Sequence, residues 1–312
     1  MTNQPFLQEV ENDSGLNNLK STQDWLKENK IFIELKLEEH GAIIFKDLPV
    51  KTAEDFDQFV STFNYETFTY EESLSNAVRI NKTDKVFTAN EAPREVEIFL
   101  HHEMAQTPTY PKNIFFFCKS ASETGGETPL CRSDQLYEAL LKADKALVES
   151  FEKFGVIYNS IMSSGDELIS GQGRSWQKTL GVSSKNDAEE KLSKLGYSWN
   201  WIEDDNLSVT TKTLQATKEL GNGQKSFFNQ VIAASLGWKK NSENQIVPVR
   251  FGNGEEIKES YIELISELAQ SLTLLRSWQD HDILLIDNYR VMHGRKPFSG
   301  NKNREVLVSL TN

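Results

Sequence analysis

The sequence predicts a mixed α and β protein with a strand-built core and flanking helices, and three observations carry that expectation. From Leu16 to Glu39 apolar and charged residues alternate at helical spacing. Between about Val78 and Cys118 the chain changes to short runs rich in β-branched and aromatic residues, the texture of sheet core. After residue 280 that texture returns in Ile283–Ile286 and Val306–Leu310.

Taken in order, the first helix stops at His40-Gly41, where glycine suits a C-cap. Gly41–Phe45 reads as a short buried strand and Asp47-Leu48-Pro49 as a turn. Thr52 with Asp55 forms a capping box ahead of Phe56 and Phe59. Val86–Thr88, Ile98–Leu100 and Ile114–Cys118 are expected strands. Gly125-Gly126 interrupts them, and Ser133 opens a helix with Leu136, Leu140 and Leu141 on one face. Phe154–Tyr158 returns to strand. The polar region 159–223 reads as an insertion packed against the core, with a helix near Asp187–Leu195. Its tryptophans, Trp176, Trp199 and Trp201, mark packed or ligand-facing surface. A helix over Glu256–Trp278 should precede the last two strands. The whole chain, 1–312, is expected to be one domain, with 1–40 as an N-terminal helical region.

Thirty-four basic against 46 acidic residues give a net charge of −12, which argues against nucleic acid or an anionic membrane as partner. A small-molecule substrate fits better, and a homo-oligomer is left open. Two cysteines, Cys118 and Cys131, are too few for a disulfide framework and lack zinc-site spacing, so reduced thiols are expected. No basic stretch followed by an apolar one opens the sequence, and no window approaches the ~18 apolar residues of a membrane span. A cytoplasmic location is the expectation.

The chemistry concentrates in a few side chains. His101, His102 and Glu103 close the apolar run Ile98-Phe99-Leu100, and His293 follows Ile283–Ile286. In a strand, residues i and i+2 share a face, so His101 and Glu103 can reach one ion while His102 points away. His293 adds the second imidazole, just after a buried strand. Two imidazoles and one carboxylate form the ligand set that leaves positions open on non-haem Fe(II). A zinc-hydrolase H-E-x-x-H helix beginning at His102 fails, because Gln106 stands where its second histidine belongs. His40 sits at a helix end and His281 in a turn. Arg304 opens the final strand, where its guanidinium can take a carboxylate through two hydrogen bonds.

With these residues in view, the chain resembles the taurine dioxygenase and clavaminate-synthase-like group of Fe(II)- and 2-oxoglutarate-dependent oxygenases. The segments that carry the resemblance are Val86–Pro93, Phe99–Gln106, Gly125–Pro129, Phe227–Asn229, and Leu284–Asn288 leading to His293-Gly294-Arg295. The resemblance implies a double-stranded β-helix, or jelly roll, with buttressing helices. It implies that His101, Glu103 and His293 ligate Fe(II), and that Thr128 and Arg304 hold the 2-oxoglutarate carboxylate. Relatives often carry two adjacent arginines where this chain has Arg304-Glu305, which makes Arg295 the reserve candidate for that anchor. The implied activity is oxidation, in the first instance hydroxylation, of a small organic substrate with O2 as co-substrate and succinate and CO2 as co-products. An amino acid or carboxylate substrate is the class such relatives often use. The carboxylate of Glu103 disfavours halogenation. Arg79 and Asn229 are left outside the main site. The alternative is a non-catalytic metal-binding jelly roll serving as sensor or structural partner, which would need no 2-oxoglutarate anchor.

Overall fold

The computed structural model describes residues 6–69, 74–75, 77–166, 173–221, 223–238 and 246–312. Helix Leu19–His40 starts at Asn18, whose side chain accepts the Ser21 N–H, and ends at Gly41. Thr52 and Asp55 form the expected capping box of helix Ala53–Ser61. Both helices lie on a sheet of seven strands. Its order is Leu7–Val10, Ala42–Phe45, Ile283–Asp287, Asn113–Ser120, Glu305–Thr311, Thr67–Phe68, with Phe87–Thr88 also paired to Glu305–Thr311.

The period-two alternation of the strands decides which way each side chain is buried. Ile43, Phe45, Phe115, Phe117, Ile283 and Leu285 meet Leu26, Ile33, Phe56 and Phe59 of the two helices. Their neighbours Ile44, Ile114, Phe116, Leu284 and Ile286 face the opposite way. There they meet Leu130 and Val291 of a second, four-stranded antiparallel sheet. That sheet runs Thr273–Arg276, Thr128–Arg132, Val291–Arg295, Ile98–His101. Its outer residues Cys131 and Met292 pack under Leu136, Leu140, Phe151 and Ile265 of helices Ser133–Ala143, Lys145–Phe154 and Glu259–Ser271. The architecture is therefore two facing sheets with helices outside both. Each buried Phe, Leu or Ile in these layers contributes roughly 1.5–3 kcal/mol.

Three expectations change. The helix expected over Glu256–Trp278 spans only Glu259–Ser271, and Thr273–Arg276 is a strand paired to Thr128–Cys131. The open edge of the second sheet offers backbone partners there, and β-branched Thr273 fits them better than a further helical turn. Val291–Arg295 is also a strand, so His293 lies within a strand and not after one. A glycine and flanking basic residues hide it from sequence inspection. Phe154 closes a helix, and the strand begins at Val156.

Region 159–223 builds onto strand Val156–Met162, which pairs with Leu207–Thr210 and through it with Ser198–Trp201. Its helix spans Lys185–Leu195. Trp176 and Trp201 meet edge to face at 5.1 Å, among Leu180, Leu192, Tyr197 and Val209 with Trp199 alongside. The tryptophans thus form this segment's own small core. Cys118 and Cys131 are free and buried. Among the described residues, no helix is long and apolar enough to cross a membrane.

Candidate active site

Register brings the two imidazoles together. The Val291–Arg295 and Ile98–His101 strands are antiparallel, and His293 pairs directly with His101. Their rings lie 4.5 Å apart between centroids. Gly294 permits this approach, since a Cβ there would sit 2.4 Å from the Ile98 carbonyl oxygen. Glu103 lies past the strand end, in a turn, so the i/i+2 strand argument places it on the right side for the wrong reason. His101 Nε2 and His293 Nε2 lie 3.8 and 3.4 Å from Glu103 Oε2. One donor atom from each residue falls within 4.8 Å of the other two.

The proton inventory of these groups calls for a cation. The Nδ1–H of His101 donates to the Phe99 carbonyl at 2.8 Å, which leaves Nε2 as a lone-pair donor turned toward Glu103. Burial, with His101 beside it, pushes His293 down to about 4, so its imidazole is neutral near pH 7. Burial works to raise the Glu103 pKa, but the contacts with His101, His293 and Arg79 together outweigh it and hold the carboxyl well below its usual value. Two imidazoles and one carboxylate then face a common point, and three donors ~2.1 Å from an ion at right angles would stand about 3 Å apart. The residues present fit a divalent metal.

The remaining contacts fix Glu103 from behind. Asn288, fully buried, accepts the Glu103 N–H at 2.8 Å and donates to the Glu103 carbonyl at 3.1 Å and to the Pro111 carbonyl at 2.8 Å. Met104 follows with a φ of 60°, turning the chain sharply out of the site. His102 points away as expected: it is buried, its Nδ1–H donates to the Asn288 carbonyl at 2.5 Å, and its ring lies 4.5 Å from that of Phe228. Burial pushes its pKa down to about 3, so it carries no charge. Asn229 is a structural residue, with its amide donating to Ala216 O and its carbonyl accepting from the Val231 N–H. His40 is buried at its helix end, and His281 occupies a positive-φ turn before Ile283–Asp287.

Two cavities meet at His101, with Glu103 on the wall of one and His293 on the wall of the other. The smaller, about 50 Å³, is lined by Thr128, Arg295, Arg304, Phe116, His101 and His293 among others. Thr128 Oγ1 accepts the Trp278 indole N–H at 2.9 Å, which leaves its hydroxyl proton for another acceptor. Arg304 has one weak backbone contact, Nη2 to the Gly126 carbonyl at 3.3 Å, and its Nε is buried without a partner among the described residues. Gly126, at φ +75°, makes room for it, since a Cβ there would lie 3.0 Å from Arg304 Nε. Arg295 differs. Its two terminal nitrogens donate to the carbonyls of Asn90, Ala92, Pro93 and Val96, so that end of its guanidinium holds the loop and only its Nε lacks a partner among the described residues. The larger cavity, about 470 Å³, shares Arg79, Asn90, Ile98 and His101 with the smaller one. Ile161, Ser163 and Asn206 of the 159–223 region form part of its wall, with Phe99 and Trp238 supplying apolar surface. Asn288, Trp278 and the placement of Arg79 went unseen in the sequence. Asn288 acts across 185 residues on Glu103, a separation that no local pattern reports.

Comparison with known proteins follows the same lines. The model of the taurine catabolism dioxygenase TauD, TfdA family matches residues 7–310. A clavaminate synthase-like protein of Arabidopsis thaliana is 32% identical over 286 residues, covering 91% of this chain and 86% of that protein. A taurine dioxygenase from Burkholderia xenovorans shares the fold with a TM-score of 0.52 at 12% identity, over 90% of this chain and 79% of that one. AAD-2 in complex with Mn(II) and N-oxalylglycine does so with a TM-score of 0.50 at 15% identity, over 90% and 86% of the two chains.

Proposed function

The chain belongs to the TauD, TfdA family, and from that premise we propose that its three-donor cluster is the Fe(II) site of an oxygenase that hydroxylates a small organic substrate. It is a 2-oxoglutarate-dependent dioxygenase, as its family is. His101, Glu103 and His293 hold the metal. Thr128 and Arg304 bind the far carboxylate of 2-oxoglutarate, which leaves the co-substrate's keto-acid end toward the metal. The observation that carries this reading is that two of the three clustered donors, His101 and His293, line the cavity that also presents Thr128 and Arg304. AAD-2, of similar fold, binds Mn(II) together with N-oxalylglycine, a dicarboxylic acid of the same chain length as 2-oxoglutarate. We read the two facing sheets as the double-stranded β-helix of the family and the chain as one domain.

When bound, iron would activate O2, the oxidant, with 2-oxoglutarate giving up two electrons as it is converted to succinate and CO2 and the substrate giving up the other two. The protein's share is orientation and exclusion of water. The Asn288 contacts keep the Glu103 backbone fixed, the Phe99 carbonyl sets the His101 tautomer, and neutral His293 offers its lone pair. Arg304 is preferred over Arg295 because both terminal nitrogens of Arg295 are engaged by loop carbonyls, while Arg304 makes a single weak backbone contact. The larger cavity takes the substrate, with 159–223 as part of its wall. A metal-only role would have no use for the Thr128 and Arg304 pair.

The test is an anaerobic visible spectrum of the purified protein titrated with Fe(II) and then 2-oxoglutarate. A metal-to-ligand charge-transfer band should appear, vanish in His101→Ala, and need more 2-oxoglutarate in Arg304→Ala. Absence of the band in folded, iron-loaded wild type would sink the assignment of these residues.

A further inference from the structure

The two carboxylate oxygens of Glu103 have different partners. Oε2 faces the two histidines, while Oε1 lies 3.5 Å from Arg79 Nη2. The side chains of Arg79 and Glu103 are 9% and 5% exposed, so solvent screens this pair little. Arg79 is held in place by its own segment. The Thr88 N–H donates to the Ile80 carbonyl at 2.8 Å and the Ile80 N–H donates to Thr88 Oγ1 at 3.0 Å. Phe87 and Thr88 in turn pair with Val308 and Leu307 of the seven-stranded sheet. The guanidinium is therefore delivered to Glu103 by a segment tied to the sheet.

A glutamate has one more methylene than an aspartate, and its carboxylate can turn to ligate a metal through one oxygen or both. The Asn288 contacts fix the Glu103 backbone only, and leave the side-chain torsions to be fixed by something else. Resting on the metal-site reading above, we propose that Arg79 is a positioning residue that occupies Oε1 of Glu103, restricts the carboxylate to ligation through Oε2, and so keeps a metal position open for the co-substrate. A planar guanidinium suits this task because it binds carboxylate oxygens directionally, as a flexible ammonium does less well.

The experiment compares wild type, Arg79→Met, Arg79→Gln and Arg79→Lys, each checked for folding by circular dichroism and thermal melting. His101→Ala reports on the metal site itself. Each protein is loaded anaerobically with Fe(II), its metal affinity is measured by chelator competition, and 2-oxoglutarate is titrated against the charge-transfer band. The expected result is that Arg79→Met and Arg79→Gln keep their metal but bind 2-oxoglutarate roughly 10–100-fold more weakly. Arg79→Lys should recover part of that loss, which a purely packing role would not produce. Wild-type 2-oxoglutarate affinity in folded, iron-loaded Arg79→Met and Arg79→Gln would overturn the inference and leave Arg79 to the substrate cavity. A band that survived in His101→Ala would instead overturn the metal-site reading, and this inference with it.

Discussion

At the scale of single residues, the site separates side chains whose polar ends are already engaged from side chains whose polar ends are largely open. Arg304 and Arg295 line the same small cavity, but Arg295 donates to four loop carbonyls and Arg304 to one. Arg304→Ala should therefore raise the 2-oxoglutarate requirement with little change in melting temperature. Arg295→Ala should cost about 3 kcal/mol or more of stability, because it strands buried carbonyls. Denaturant titration of both variants beside 2-oxoglutarate titration reads the contrast directly. Glu305, next in sequence to Arg304, lies 3.0 Å from both Lys82 and Lys119. The three donors make a second prediction. A divalent metal at 100 times its Kd should stabilise wild type by about 2.7 kcal/mol, an effect lost in His101→Ala and His293→Ala and measurable as a thermal shift.

At the scale of elements, strand register and one buried amide do most of the assembling. His101 and His293 are 192 positions apart in sequence and meet because their strands pair in that register. Adding a methyl group in Gly294→Ala would drive a Cβ into the Ile98 carbonyl and push the two strands apart. The expected outcome is loss of metal affinity greater than loss of stability, checked by chelator competition against thermal melting. Asn288→Ala removes two hydrogen bonds from the buried turn that carries Glu103 and a third from Pro111. It should cost roughly 2–4 kcal/mol, and its metal affinity should fall as well. Two helix caps and several buried strands were legible in the sequence, because Gly41 and Thr52 act within a few residues of their partners, whereas the N-cap at Asn18 was not singled out there. Strands Thr273–Arg276 and Val291–Arg295 were not, since each owes its form to a neighbour across the second sheet.

At the scale of the whole molecule, one of two facing sheets holds His101 and His293 while region 159–223 adds a wall with its own apolar core. Trp176→Ala should open that small core, at about 3–5 kcal/mol of local stability, and raise hydrogen exchange across 159–223. Metal and 2-oxoglutarate affinities should stay at wild-type values, because Trp176 lines neither cavity. The sequence by itself determined which chemical groups the candidate site could draw on. An H-x-E beside one apolar run, a histidine after another, and a threonine and arginine of the right kind are chemical identities, and identity is local. The tertiary structure decided which groups are available. It committed Arg295 to a loop, turned His102 toward Asn288, set Arg79 on the second oxygen of Glu103 and made Asn288 the support of the turn. A hydrogen bond or ion pair depends on distance in space, and only the pairing of distant strands brings those distances into being.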